Sequence, residues 1–557
     1  MTARLSPAYR AAALDVAAAT EFDVLVIGGG VVGAGAALDA AARGLSVALV
    51  EARDWASGTS SRSSKLVHGG LRYLEQRDFA LVREALRERA LLLHRLAPHL
   101  VRPVPFLFPL RHRVWERAYV GAGVLLYDTI GGARALPRHR HVSRRKALQL
   151  APSLRPDALT GAVRYYDAQM DDARLAMMVA RTASQHGATV LTRAEVVALR
   201  RDGAAITGAQ IHDLESGAEI TVRARAVISA TGVWTDQIHR LAGVPGPFRV
   251  QMSKGVHLLV PRERIRLATG LITRTEKSVL FVIPWGAHWI IGTTDTPFDQ
   301  RRDHPTANRA DVEYLLDHVN ALLTDPITTD DIVGVYAGLR PLLAGHSSET
   351  TRLSREHAVA EPAPGLFVIA GGKYTTYRVM AADVVDAAAR TLGRAVAPSL
   401  TERLPIFGAV GFHEIWAERH RVAAEAGLRL ATVERLLHRY GSAVADLLAL
   451  VKRDASLGGT IPGAAPYLRV EALYAATHEG ALHVEDVLVR RTRAAIETPD
   501  RGLAAAPHVA DLLAGPLGWD ASTREAEVER YRRHVTADRA AEQASVDLAR
   551  AVDAHAN

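Results

Sequence analysis

Five apolar residues fall within residues 22–27, between Glu21 and a run of three glycines, a pattern that predicts a buried strand. The small, apolar stretch that follows runs to Arg43 and predicts a helix packed tightly on a sheet, closed by Gly44 as a left-handed cap. Residues 45–50 form a second apolar strand with Glu51 at its tip. Asp78 then caps an amphipathic helix, FALVREALRERALLLHRL, that stops before Pro98. Asp171 and Asp172 precede a helical run over residues 173–186, and ATVLTRAEVVALR reads as one alternating strand. Residues 226–229 form a strand ending at Ala230, Thr231 and Gly232, and residues 249–295 read as an antiparallel sheet with a hairpin near residues 285–287. A strand over 366–369 runs into Gly371, Gly372 and Lys373, and Thr375 or Thr376 caps a helix reaching Leu392. A proline- and glycine-bearing linker over 396–411 leads to a region of helical periodicity.

The first of these units has the order of a dinucleotide-binding βαβ fold. Gly28, Gly30 and Gly33 have the spacing G-x-G-x-x-G between strand and helix, where they allow a tight turn, approach of a pyrophosphate and close helix packing. Glu51 is placed to accept a hydrogen bond from an adenosine ribose, and its charge disfavours a 2′-phosphate. The motif alone leaves NAD and FAD open. A second strand ending in A-T-G at Gly232 is a further return to the nucleotide and favours FAD. The loop at Gly371–Lys373, facing a helix N-terminus, suits the electron-rich pyrimidine end of a flavin ring.

Composition narrows the chemistry. The chain has 557 residues and no cysteine, so disulfides, thiolate metal sites and redox thiols are excluded and redox work falls to a bound cofactor. A net charge of +8 favours anionic partners. The alanine-rich residues 1–20 read as a short helical arm rather than a signal peptide, because Asp15 interrupts the apolar run. No run reaches the length of a membrane span, and residues 119–130 are too short. The basic cluster PRHRHVSRRK, residues 137–146, reads either as a solvated face or as a patch for anionic lipid beside that apolar run. It lacks interleaved aromatic residues, which argues against nucleic acid.

Candidate chemistry gathers in few places. The Gly-, Ser- and Thr-rich loop 52–75 carries Lys65, His68, Arg72 and Tyr73 close together. The sheet region carries Lys254 and His257, and Arg340 and Arg355 follow in VYAGLRPLL and TRLSREHAV.

Together these stretches resemble the FAD-dependent, quinone-linked glycerol-3-phosphate dehydrogenase family. The likeness rests on IGGGVVGAG, TSSRSSKLVHGGLRYLE, DDARL, SATGVWTD, SKGVHLLVP, FVIPW, IIGTTD, AGLRPL and GGKYTTYR. It implies an α/β fold: a Rossmann-type FAD-binding domain of the D-amino-acid-oxidase-like kind, an antiparallel-sheet substrate cap, and a C-terminal all-helical domain. The expected divisions are an arm over 1–20, a core over 21–395 with the cap roughly at 100–165 and 245–330, the linker, and a helical domain over 412–557. The implied cofactor is FAD, held by Gly28, Gly30, Gly33, Glu51, Thr59, Ser60, Ser64, Lys65, Leu66, Gly232, Gly371, Gly372, Lys373, Thr375 and Thr376. No metal is expected. The implied reaction takes sn-glycerol 3-phosphate to dihydroxyacetone phosphate, with a quinone as electron acceptor. Oxygen as acceptor, and a flavin oxidase acting on amines or amino acids, stand as alternatives. Arg340, Arg355, Lys373, Tyr73 and Arg72 match the phosphate-binding set. His257 is the expected base, His68 its competitor, and Arg340 can instead hold the developing alkoxide. The expected location is cytoplasmic with peripheral contact to anionic membrane, and the reading leaves room for a homodimer.

Overall fold

The computed structural model describes residues 3–70, 78–112, 115–130, 136–248, 250–276, 279–299, 302–343 and 357–544. Its first sheet runs in the order Thr189–Leu191, Val47–Val50, Glu21–Ile27, Glu219–Ser229 and Leu366–Gly371, all parallel, with His357–Ala363 antiparallel at the edge. Val47–Val50 is buried throughout and Glu21–Ile27 past its first residue, so their apolar runs are continuous rather than alternating. Helices Val31–Ala42, Asp172–Gln185 and Tyr377–Ala389 share one core with one face of the sheet, through Ala36, Met177 and Val384 among others. Helix Pro7–Ala19, capped by the Ser6 side chain, buries Ala13 and Ala17 in the core on the opposite face.

ATVLTRAEVVALR does not form the single strand expected. It breaks at Arg193, which has φ +57°, into Thr189–Leu191 beside the parallel sheet and Ala194–Asp202 in a hairpin with Ala205–Asp213. The hydrophobic alternation carries on through the turn and hides the change of partner.

The second sheet runs Thr296–Phe298, Val250–Pro261, His288–Gly292, Val279–Trp285, Gly270–Arg274, Arg102–Leu110, Gly161–Gln169, Leu66–Val67. Gly334–Leu343 also pairs along Val250–Pro261, register Ser253 to Arg340 and His257 to Tyr336. Among the described residues of this sheet, only Gly270–Arg274 beside Arg102–Leu110 is parallel. The expected hairpin turns through Gly286, at φ +55°, and Ala287. The architecture is thus a nucleotide-binding α/β domain, an antiparallel-rich sheet over its strand ends, and a helical C-terminal region.

Buried charges hold the helical region in place. Arg174 pairs with Glu479 at 2.7 Å, Arg491 with Asp54 at 2.6 Å, and Arg493 with Asp171 at 2.6 Å. Lys65 and Arg493 share Asp172. Burial works against ionisation of Asp171, but Arg493 and Arg439 overcome it and hold the carboxyl well below its ordinary range. Removing one partner from such a pair leaves a buried charge uncompensated. The 396–411 segment is also packed: Ile406 N–H donates to Leu96 O at 2.8 Å and Phe407 N–H to Thr182 Oγ1 at 2.9 Å.

Candidate active site

A cavity of about 1170 Å³ lies between the two sheets. That exceeds the usual pocket for one small ligand and suits a long cofactor with a substrate beside it. At one part of it the strand Glu21–Ile27 ends at Gly28, with φ +110° and its position for a Cβ only 2.7 Å from Ala230 O. A Cβ on Gly33 would lie 1.9 Å from Gly28 O, so this helix can meet the strand end only with glycine there. Gly30 is the N-cap of Val31–Ala42 and supplies no side-chain cap. Ser60 Oγ accepts Val31 N–H at 3.0 Å, and the N-terminal helix dipole is left for an anion.

Glu51 accepts N–H bonds from Gly29 at 2.6 Å and Arg53 at 2.8 Å. Burial pushes its carboxyl upward, opposed by those two donors. Its oxygens still have lone pairs for ribose hydroxyls. Glu51→Gln would turn an amide N–H toward one of these donors and should weaken dinucleotide binding by about 10–100-fold, measured as cofactor retained after gel filtration. Retention equal to wild type would remove Glu51 from the nucleotide site.

The other wall comes from the second sheet. His257 is 2% exposed, stacks on Tyr336 with ring centroids 4.7 Å apart, and places Nε2 2.8 Å from Ser64 Oγ. Burial first, then the charges of Arg340 and Lys65, lower its pKa well below the ordinary histidine value, so the ring is neutral. Arg340 donates to Thr293 Oγ1 at 3.0 Å and Thr294 O at 3.2 Å, with Asp295 at 3.5 Å. Gly255 makes room for it, since a Cβ there would sit 2.6 Å from Arg340 Nη2. Lys373, Gly371 and Gly372 line the cavity from the end of Leu366–Gly371. His68 lines it as well, its backbone tied to Thr375 Oγ1 at 3.3 Å.

Of the residues expected at the site, Gly28, Gly30, Glu51, Thr59, Ser60, Ser64, Leu66, His68, Gly232, His257, Arg340, Gly371, Gly372, Lys373 and Thr375 line this cavity. Gly33 and Thr376 are buried behind it. Lys65 is not on its wall: the ammonium is fully buried, 2.9 Å from Asp172 and 3.0 Å from Ser61 O. Burial and the Arg493 charge lower it to about 8 despite Asp172. Arg72, Tyr73 and Arg355 lie outside the described residues.

Other lining residues were not among those expected at the site. Arg302 donates to Val233 O at 2.7 Å and pairs with Asp236 at 3.0 Å, and Arg53 lies over the Trp234 ring at 5.4 Å while donating to Asp303 O. Thr293 and Asp295 position Arg340. Both lie in the run IIGTTD, where no local pattern fixes the side chain they face.

Comparison with known proteins identifies the same fold. The family model described as FAD dependent oxidoreductase matches residues 23–384, and that of the C-terminal domain of alpha-glycerophosphate oxidase matches residues 399–524. Glycerol-3-phosphate dehydrogenase 2 of Mycobacterium tuberculosis is 56% identical over 96% of this chain and 92% of its own length. The mitochondrial glycerol-3-phosphate dehydrogenase of Homo sapiens is 35% identical over 95% of this chain and 75% of its own. The crystal structure of glycerol-3-phosphate dehydrogenase from Bacillus halodurans complexed with FAD superposes with a TM-score of 0.78, at 28% identity, covering 96% of this chain and 97% of that one.

Proposed function

Because the chain belongs to the FAD-dependent glycerol-3-phosphate dehydrogenase family, we propose that it oxidises the secondary hydroxyl of sn-glycerol 3-phosphate to the ketone of dihydroxyacetone phosphate and delivers the electrons to a quinone, in glycerol and glycerophospholipid breakdown. The observation that carries the reading is the convergence of neutral His257, Arg340 and Lys373 on one cavity whose other part is the glycine cradle.

FAD fits that cradle, where Gly28 and Gly33 leave no room for a Cβ and Glu51 waits at the ribose position. When bound, FAD supplies the hydride acceptor for the carbon-bound hydrogen. Arg340 and Lys373 give two cations to a phosphate dianion, more than the single carboxylate of an amino acid needs, and the guanidinium can bind it in two-pronged fashion. Arg355, Tyr73 and Arg72 belong to the same proposed phosphate set. His257 takes the hydroxyl proton at Nε2, directly or through Ser64 Oγ. In the free protein burial, and then its cationic neighbours, disfavour that proton; a bound phosphate dianion offsets the Arg340 charge, which favours the protonated ring as substrate arrives. His68 remains the second choice for this role.

The decisive experiment mixes the purified protein with glycerol 3-phosphate without oxygen and follows the flavin colour, then compares turnover with a quinone analogue and with oxygen alone. Rapid bleaching with turnover on the quinone analogue is expected. A flavin that stays yellow would reject the substrate, and turnover on oxygen alone would reject the acceptor.

A quinone acceptor calls for a membrane surface. No helix among the described residues is long and apolar enough to cross a membrane. Helix Trp115–Ile130 exposes Tyr119, Leu125 and Leu126, at 51%, 57% and 39%. The His141 ring packs at Gly121 and Arg117 donates to Val142 O, which sets the exposed basic run beside this apolar face. We assign contact with anionic lipid on the cytoplasmic face to this combined patch. Neutralising Arg138, Arg140, Arg144 and Arg145 together should weaken sedimentation with anionic vesicles at low salt by at least about tenfold, each charge contributing about 1 kcal/mol. Unchanged binding would take the patch out of the account.

A further inference from the structure

We propose that His304, His534 and Asp538 form a binding site for a divalent cation of the zinc type, which fastens the C-terminal helix Ala521–Gln543 to the loop beside the cofactor cavity. Their donor atoms all lie within 4.8 Å of one another, and among the described residues no other His and carboxylate set converges in this way. His304 Nε2 is 2.5 Å from Asp538 Oδ1, and His534 Nε2 is 3.6 Å from the other oxygen, Oδ2. The two imidazoles sit 4.6 Å apart between ring centroids. A tetrahedral zinc ion with bonds of about 2.0–2.1 Å separates its donors by roughly 3.3 Å, so small side-chain shifts would seat it.

The sequence hid this site because its halves are far apart: His304 and Asp538 are 234 residues from each other. His534 and Asp538 stand one helical turn apart on the same face, which is the spacing a helix needs to offer two ligands to one ion. His304 comes from a different element and completes a set that exists only in the folded chain. The three side chains are 32%, 24% and 25% exposed for His304, His534 and Asp538, enough for an ion to enter and to keep water in its fourth position.

What the ion would hold is the cavity wall. Arg302 and Asp303, immediately before His304, both line the cavity. Arg53 donates to Asp303 O at 3.0 Å, Arg62 to Pro305 O at 3.4 Å and Lys254 to Thr306 O at 3.3 Å. A metal on His304 anchors the middle of this loop to the helical region, and cofactor escape slows when the wall cannot open.

The test uses the tag-free, full-length holoprotein after chelation. Titration with CoCl₂ should give the visible bands of a tetrahedral site, and ZnCl₂ should bind calorimetrically at one equivalent per chain. His304→Gln and His534→Gln should each weaken binding by about a hundredfold or more, while His508→Gln, on an exposed helix surface, should not. Zinc should also slow FAD loss from the wild type and not from the two variants. Absence of stoichiometric binding, or binding that His304→Gln leaves within about threefold, overturns the site. Because His304 lies in a loop, its variant decides the matter even if His534→Gln does not fold. Tight binding with unchanged FAD loss overturns the fastening role.

Discussion

Replacing Arg340 with leucine should lower kcat/KM for glycerol 3-phosphate by about a thousandfold. Charge-assisted hydrogen bonds contribute about 1.5–3 kcal/mol each, and two from one guanidinium to a phosphate give a loss of that order. The side chain is suited to this: its own sheet holds it through Thr293, Thr294 and Asp295, yet it keeps 22% exposure on the cavity wall. Arg340→Lys keeps the charge without the planar fork, and a loss of about 10–100-fold is expected. The kinetic pattern separates the two roles this residue can fill. Phosphate capture shows mainly in KM, whereas support of a developing alkoxide lowers kcat and kcat/KM together. A variant within threefold of wild type, with an unchanged melting temperature, would end both assignments.

His257→Asn should slow anaerobic flavin reduction at saturating substrate by about 10²–10⁴-fold with FAD still bound. Ser64→Ala should cost less, about tenfold, because it removes a partner of the imidazole rather than the imidazole. The pH dependence follows from the same environment. Burial, Arg340 and Lys65 depress the His257 pKa, and the base is needed neutral. Its working form therefore persists as pH falls through the ordinary histidine range, and free-enzyme activity is lost to its protonation only well below pH 6.5. Reduction by His257→Asn within a few-fold of wild type would shift the role to His68. An acid limb of kcat/KM centred at the ordinary histidine value and abolished in His257→Asn would contradict the depressed pKa.

The parts of the fold that could be read along the chain are those fixed by neighbouring residues. Gly28, Gly33 and Glu51 belong to one continuous βαβ unit, so spacing alone led to a turn, a helix start and an acidic tip in the right places. The A-T-G end at Gly232 and the loop at Gly371 were legible for the same reason. His257 and Arg340 stood out in their segments, but their roles came through resemblance, since strand pairing across about eighty residues brings them to one wall and no local pattern does. Lys65 shows the limit most plainly. Its neighbours Ser64 and Leu66 line the cavity, but a backbone at φ +59° turns the lysine toward Asp172, a partner supplied from the start of a distant helix. Arg302 and Arg53 were missed because surface arginines are common and only the closed loop reveals what these two touch.

The buried pair between Asp54 and Arg491 spans 437 positions of sequence. On a ribosome adding about 5–20 residues per second, Asp54 emerges roughly 20–90 s before its partner exists. Asp171 and Asp172 likewise wait for Arg493. Throughout that interval the nucleotide-binding half carries carboxylates destined for a dry interior and must keep them wet, so it cannot close its final packing. The final packing around Asp54, Asp171 and Asp172 is therefore completed only once residues 491–493 have been made, which places that step late in synthesis.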